Sequence, residues 1–384
     1  MRIDHAQLHF LEIPFRLSLS HGARAGRVSS DSIVLRLAGR GRNGCGEAVV
    51  REYVSGSLGT GDELRREAAR IISALLAPLR GRELPWPEAR DYLAGLSCEP
   101  SALPLLCAVE SAVLSLAVDE SAAHEAAADA YSVLEQPPLR ATVVYGVVLP
   151  FVPLAEAGKL IGMCAQAGVT NVKVKVGSDL SYNEGILSLC RSMLGAGFDL
   201  RVDANSAWTA ADTDAQLAVL ERCGVHLVEQ PFPASEGPAS ASRLASLGFS
   251  VMADEGVLTS ADVRRLAETG SAQVLNLRLS KNGGLSRVLS LAREAEACGL
   301  SYQLGCMVGE TGVLSCMGRL AASLVPRPRY VEGSYDELLL AENIVSPSFG
   351  FGPGGRAPIM RGAGMGYRVE EEKLARFTRA CLQV

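Results

Sequence analysis

The sequence predicts an α/β protein: a closed barrel of eight strand–helix units behind a smaller N-terminal α+β domain. Three observations predict it. The first fifty residues alternate apolar and polar positions like antiparallel strands. From Asp62 to about Val118 the apolar residues recur at helical spacing. From about residue 140, short apolar strands return every 25–30 residues or so, each followed by a helix-like stretch, which is the rhythm of parallel βα units.

The strands of the first region are "QLHFLEIPF", "DSIVLRLAG" and "GCGEAVV". "GRGRNG" between the last two fits G-x-G-x-x-G, but a strand follows it where a dinucleotide site needs a helix. It reads as a hairpin connection. "DELRREAARIISALLAPL" is an amphipathic helix, and residues 1–130 form the first domain. Residues 131–345 then carry eight strands: "ATVVYGVV", "NVKVKV", "DLRVDAN", "VHLVEQ", "SVMADE", "AQVLNLRL", "SYQLGC" and "RYVEGS". Helices such as "LAEAGKLIGMCAQAG" and "GLSRVLSLAREAEACG" separate them and end in glycine. Eight such units close into a barrel; a doubly wound open sheet is the alternative. Residues 346–384 pass through "FGFGPGGRAP", a glycine-rich loop that could also form a phosphate nest, into "GYRVEEEKLARF", and are expected to return to the first domain.

The chain has 384 residues, 48 % of them hydrophobic, and a formal net charge of −5. That length carries one large domain or two ordinary ones. The mild acidity gives no reason to expect nucleic acid or an anionic membrane as partner. No secretory signal is read at the N-terminus, and no run of 18 apolar residues appears. Ten cysteines without a C-x-x-C pair suggest reduced, mostly buried thiols in a cytoplasmic protein.

The basic residues comprise 32 Arg and five Lys: Lys159, Lys173, Lys175, Lys281 and Lys373. Three of these rare lysines fall in or beside strands, where an arginine could not lose its proton and a lysine can. Lys173 and Lys175 share one face of a strand otherwise made of valine, so they require compensation nearby. Catalytic groups of a barrel sit at the carboxyl ends of its strands. Those ends supply Lys173 and Lys175, then Asp203 and Asn205, Glu229, Asp254 and Glu255, and finally Lys281. The positions 203, 229, 254 and 281 each lie about one βα unit beyond the last, so the side chains surround one mouth.

Any one of these acids could simply cap the following helix. Three together repel unless a cation holds them, and three hard oxygen donors suit Mg²⁺, with Mn²⁺ as a substitute. Zinc fits less well, because no His or Cys falls at these ends. A cation and a neighbouring ammonium both favour the neutral amine, so Lys175 and Lys281 can act as bases, with Lys173 lowering its neighbour's pKa and touching a substrate carboxylate. A lysine would take the proton beside a carboxylate, and the metal would stabilise the resulting enediolate. Lys175 and Lys281 lie across the barrel and can address opposite faces of one carbon.

These residues resemble the enolase superfamily, and within it the muconate lactonizing enzyme (muconate cycloisomerase) subgroup. The motifs are Lys-x-Lys at 173–175, Asp203-x-Asn205, Glu229 before "QPF", Asp254-Glu255 and Lys281 before "NGG". The resemblance implies a modified (β/α)7β TIM-like barrel with an N-terminal α+β capping domain completed by the C-terminal segment. It implies Mg²⁺ on Asp203, Glu229 and Asp254, acid/base lysines at 175 and 281, and a homo-oligomer. Capping loops around 17–28 and 51–58, with His21, Arg24 and Tyr53, are implied to choose the substrate. Dipeptide epimerases of the subgroup carry Asp-x-Asp at the end of the eighth strand; here "GSY" at 333–335 stands there, with Asp336 just beyond. In "LGCMVGETG" the glutamate, Glu310, stands one position later than the family's pattern. The residues expected to contact substrate are therefore Lys173, Asn205, Glu255, His21, Tyr53, Cys306, Glu310, Ser334 and Asp336.

The expected function is a Mg²⁺-dependent isomerase of a small carboxylate substrate: a racemase or epimerase of an amino-acid derivative, or a cycloisomerase. A dehydratase of the succinylbenzoate synthase type uses the same groups, and a non-catalytic binding protein of the same fold is the third reading.

Overall fold

A computed structural model describes residues 1–21, 24–125, 128–233, 236 and 238–384, with the side chains of 17–21 and 24–26 outside the description. Alternation in the first fifty residues yields β1 (His5–Leu11), β2 (Ile13–His21), β3 (Arg24–Ser30), β4 (Ile33–Gly39) and β5 (Arg42–Ala48). β2 and β3 form a hairpin of their own, while β1, β4 and β5 are neighbours in one antiparallel sheet. "GRGRNG" is the hairpin connection its context implied: Arg40 and Gly41 turn the chain at positive φ of 52° and 73°, a two-residue turn whose twist matches the strands.

The helices that follow are α1 (Glu52–Ser55), α2 (Gly61–Leu76), α3 (Trp86–Gly95), α4 (Leu103–His124) and α5 (Ala130–Leu134). α4 is apolar all round because it is buried all round: it belongs to the one stretch long and apolar enough to cross a membrane among the described residues, and 94 % of that window lies inside the protein. β5 lies directly against it. A Cβ on Gly44 would stand 2.2 Å from Ala112 O, and one on Gly46 2.0 Å from Ala108 O, so only glycine permits this approach.

"ATVVYGVV" divides into two short strands. β6 (Thr142–Val144) leaves the barrel, and β7 (Val147–Leu149) begins it. The remaining units alternate as the rhythm predicted: α6 (Leu154–Gln166), β8 (Asn171–Lys175), α7 (Leu180–Leu194), β9 (Asp199–Asp203), α8 (Thr213–Arg222), β10 (Leu227–Glu229), α9 (Pro238–Ser246), β11 (Ser250–Ala253), α10 (Ser260–Thr269), β12 (Val274–Arg278), α11 (Leu279–Asn282), α12 (Leu285–Ala297), β13 (Ser301–Gly305), α13 (Gly312–Leu324) and β14 (Tyr330–Val331). The sheet runs β7 to β14 in sequence order, and every pair is parallel. Gly146 N donates to Val331 O at 2.8 Å and ties the first strand to the last. No full helix follows β14 within the barrel, only the one-turn α14 (Asp336–Leu339), which makes the barrel (β/α)7β.

The C-terminal segment returns as expected. β15 (Val345–Ser346) pairs with β17 (Arg368–Val369), and β16 (Arg356–Pro358) pairs with the detached β6. After α15 (Glu371–Phe377), β18 (Thr378–Gln383) adds to β1, with Leu382 opposite Leu8. One apolar core runs from the N-terminal sheet into the β12–β14 half of the barrel, and the β7–β10 half has a core of its own. The capping domain is thus fused by packing to the side of the barrel that carries Lys281.

Candidate active site

Period-two alternation sets the site. In β8 the valines at 172 and 174 are buried among helices, which turns Lys173 and Lys175 together toward the barrel interior. Register then places Lys175 beside Asp203, and Asp203 beside Glu229. Lys175 Nζ donates to Asp203 Oδ2 and to Asn205 Oδ1, both at 2.6 Å. Lys173 Nζ lies 2.8 Å from Glu229 Oε2, 2.8 Å from Glu332 Oε2 and 3.6 Å from Asp203 Oδ2.

The second expected base comes from the opposite wall. Lys281, on α11 just past β12, is fully buried and donates to Asp254 O at 2.7 Å, Asp254 Oδ1 at 3.0 Å and Asn276 O at 2.5 Å. β8 and β12 are four places apart in the eight-strand order, so the two lysines approach from opposite sides.

Burial and charge work against each other here. Burial alone would lower the pKa of Lys173, but Glu229, Glu332 and Asp203 outweigh it and keep the ammonium protonated. Lys173 is therefore a fixed positive charge held by three acids. Burial would raise Asp203, yet Lys175 and Lys173 hold it well below the carboxylate range. Glu229 is pushed up by burial and by Asp203, Asp254 and Glu332, with Lys173 opposing. Burial lowers Lys281, against the pull of Asp254.

Three carboxylates from successive strands supply the hard oxygen donors that Mg²⁺ or Mn²⁺ takes. Cations stand between them in this structure: Lys173 spans Asp203 and Glu229, and the Arg278 guanidinium spans Glu229, at 3.5 Å, and Asp254, which it touches directly. Among the described residues, no three acidic, imidazole or thiol side chains stand close enough together to enclose an ion. The donor chemistry fits a divalent ion, and the fit requires the bridging cations to yield.

The remaining expected contacts divide. Asn205, at φ 44°, reaches the site and orients Lys175. Tyr53 is half-buried and near enough to Arg278 to act on its charge. Glu255 lines a cavity of about 430 Å³ with Phe232, Leu258 and Leu266, and its Oε2 is buried without a partner. Burial, then Asp254 and Asp203, push its pKa up to about 8. Cys306 follows β13, and burial, then Glu310 and Glu332, push its thiol up. His21, expected in the capping loop, lies with its side chain outside the described residues, as does Arg24.

Two of the expected contacts, Ser334 and Asp336, are bonded within the fold. Ser334 is buried with its Oγ 3.2 Å from Arg319 Nη2, and that guanidinium is fixed by Phe349 O and Gly350 O. Its positive φ of 55° turns the side chain to this network. Asp336 is likewise consumed by structure: it accepts from Ser315 Oγ at 2.5 Å, from Asn343 Nδ2 and from Phe349 N at 3.3 Å.

Sequence reasoning missed four interior polar residues. Arg201 donates to Glu332 Oε1 at 2.6 Å and lies over the Tyr330 ring. Asn276 donates to Glu229 Oε1 at 2.6 Å. Arg278 and Glu332 complete the set. The signal was parity: Arg201 stands two before Asp203, Asn276 two before Arg278, and Glu332 is the acid inside the eighth apolar strand.

The seventh loop is held from above by the capping domain. Ser30 and Ser32 donate to Gly309 O at 2.5 and 3.0 Å, and Arg51 Nη2 donates to Val308 O at 2.7 Å. Gly309 has φ 93°, and a Cβ there would meet Phe15 and Ser30 at 3.3 Å. Glu47 accepts from Thr311 N, Thr311 Oγ1 and Leu314 N at 2.7–3.0 Å, capping α13 across the domain boundary. Within the loop, Glu310 Oε1 accepts from Met307 N at 2.6 Å. The shifted glutamate thus braces its own loop.

Comparison with known proteins agrees with this fold. Over 164 residues the chain is 31 % identical to N-succinyl-L-Arg/Lys racemase of Bacillus cereus, covering 42 % of this chain and 43 % of the relative. Over 213 residues it is 30 % identical to muconate cycloisomerase 1 of Pseudomonas putida, covering 54 % and 55 %. The chain spans about half the length of these curated relatives. Among solved structures, the Bacillus cereus racemase superposes with a TM-score of 0.86 at 21 % identity, covering all of both chains. Muconate lactonizing enzyme from Pseudomonas putida superposes at 0.83 and 24 %, covering 99 % of this chain and 100 % of that one. Residues 157–373, more than half of the chain, match the model of the Enolase C-terminal domain-like family. The chain therefore belongs to that family, within the enolase superfamily and like the muconate lactonizing enzymes.

Proposed function

We propose that the protein is an isomerase that moves a proton at the carbon beside a substrate carboxylate. One observation carries the reading: Lys175 and Lys281 leave strands on opposite sides of the barrel, and both end on the acids Asp203 and Asp254. In the proposed reaction a neutral Lys175 amine accepts the α-proton and becomes an ammonium. Lys281, as an ammonium, returns a proton to the opposite face and becomes neutral, so configuration inverts with no net redox change. The reverse direction exchanges the two roles. Asn205 orients Lys175, and burial lowers the pKa of Lys281 against the pull of Asp254. Lys173, held charged, faces the substrate carboxylate. Asp203, Glu229 and Asp254 would hold Mg²⁺, which when bound supplies positive charge beside the carboxylate where charge accumulates on deprotonation.

The substrate class we infer is an N-acylated amino acid. A free substrate amine needs an unengaged acid at the end of β14. Glu332 is committed to Lys173 and Arg201, Ser334 turns to Arg319, and Asp336 is fully bonded within the fold. An acylated nitrogen carries no charge and requires no such partner. Ten free cysteines support a cytoplasmic setting. The test is proton NMR in D₂O with Mg²⁺: exchange and inversion of N-acyl amino acids support the reading. Elimination of a β-leaving group would replace it with a lyase, and exchange of dipeptides alone would overturn the substrate class.

A further inference from the structure

The proposed reaction gives Arg278 no task, yet Arg278 occupies the centre of the carboxylate set. Its guanidinium touches Asp254 Oδ2 and lies 3.5 Å from Glu229 Oε1, so it joins two of the three expected metal ligands. It is poorly fixed for a buried arginine. Among the described residues, Nε is buried without a partner, and Nη1 has only the Met307 thioether, at 3.5 Å. A guanidinium offers five N–H donors, and this one satisfies its acceptors better than they satisfy it. Arg201 also has a buried Nε without a partner, but its Nη1 and Nη2 are held by Asn171 and Glu332 and its guanidinium lies over the Tyr330 ring.

The local charge count points the same way. Asp203, Glu229, Asp254 and Glu332 face Lys173, Arg201, Arg278 and the one of Lys175 and Lys281 that carries the proton, so the four acids are already matched by four cations. A divalent ion arriving at Asp254 and Glu229 meets a charge that cannot be discharged by losing a proton. Like charges this close in a buried site repel strongly, so the guanidinium must swing away or weaken the ion's hold.

We propose that Arg278 is a built-in counter-ion of the carboxylate set: it holds Asp254 and Glu229 together when no divalent ion is bound, and it lowers the affinity for that ion. This rests on the metal-site reading above. Arg278 is a positioning residue here, acting through the two acids.

The test is titration of chelator-stripped wild type, Arg278→Met and Arg278→Lys with Mn²⁺ by calorimetry and electron paramagnetic resonance, with melting curves in each state. Arg278→Met should bind Mn²⁺ at least tenfold more tightly, melt lower than wild type without the ion, and gain more from adding it. Arg278→Lys keeps the charge and should stay within a few-fold of wild type. Equal or weaker binding by Arg278→Met overturns the inference while leaving the metal site standing. Glu229→Gln separates the two levels: binding insensitive to that change, or no binding by any variant, removes the metal site and the inference with it. If Arg278→Met does not fold, Arg278→Gln supplies the neutral side chain for the same comparison.

Discussion

Lys173 Nζ lies 2.8 Å from Glu332 Oε2, deep in the barrel with both residues buried. Arg201 holds the other oxygen of the same carboxylate at 2.6 Å. This acid, from the last strand, supports the lysine at the centre of the site and ties the two ends of the barrel together electrostatically.

Removing that acid should therefore be expensive and pH-dependent. Burial would raise Glu332, but Lys173 and Arg201 outweigh it and bring the carboxyl from 4.5 down to about 2. A lowered acid contributes stability that is present above its unfolded value and lost as pH falls through its folded value. Glu332→Gln should cost roughly 3 kcal/mol near neutrality, because it leaves two buried cations short of a partner. Denaturant titrations at pH 7 and pH 3 should show the gap to wild type shrinking in acid.

Glu310 should behave in the opposite sense. Burial, with Glu47 and Asp336 adding to it and Met307 N opposing, pushes it from 4.5 up to about 8. Its contribution is fully present below 4.5 and is lost as pH rises toward 8. Glu310→Gln keeps an oxygen for Met307 N and cannot ionise. Its stability relative to wild type should rise between pH 6 and pH 9, read from denaturation midpoints.

Ser30 and Ser32 should control the seventh loop without controlling the fold. Each hydroxyl donates to Gly309 O, and loss of one such bond costs about 1 kcal/mol. The double change to alanine should speed amide hydrogen exchange across residues 306–311 and leave the strands of the barrel protected. Unchanged exchange in that loop would mean that Arg51 and Glu47 suffice to hold it.

The barrel and its mouth were legible because both are periodic. Strands recur eight times with helices between them, and the chemistry-bearing residues fall at the same phase of successive repeats. The strand inside "ATVVYGVV" was legible and its division was not: Tyr145 and Gly146 read as continuous β, and only the distant partner Arg356–Pro358 draws Thr142–Val144 away. Ser334 and Asp336 show a second limit. Proximity to a strand end marks a residue as near the mouth, whereas its direction depends on φ at one position and on Arg319 and Asn343, which no local pattern couples to it. Arg201 and Glu332 were visible as charges in apolar strands, but their pairing crosses 131 residues of sequence. Lys173 keeps the charge its first reading needs, but the acids that hold it protonated include one from the far end of the barrel, which no local pattern couples to it.

The central claim is that two lysines exchange a proton with one carbon from opposite sides. The measurement closest to it is ¹H NMR of an N-acyl amino acid in D₂O with Mg²⁺, comparing wild type with Lys175→Ala and Lys281→Ala, each checked for folding by circular dichroism. Wild type should exchange the α-proton of both enantiomers and interconvert them. Each variant should lose interconversion by about 10²–10⁴-fold and retain faster exchange with the one enantiomer that faces its surviving lysine. Interconversion at the wild-type rate in either variant would contradict the account.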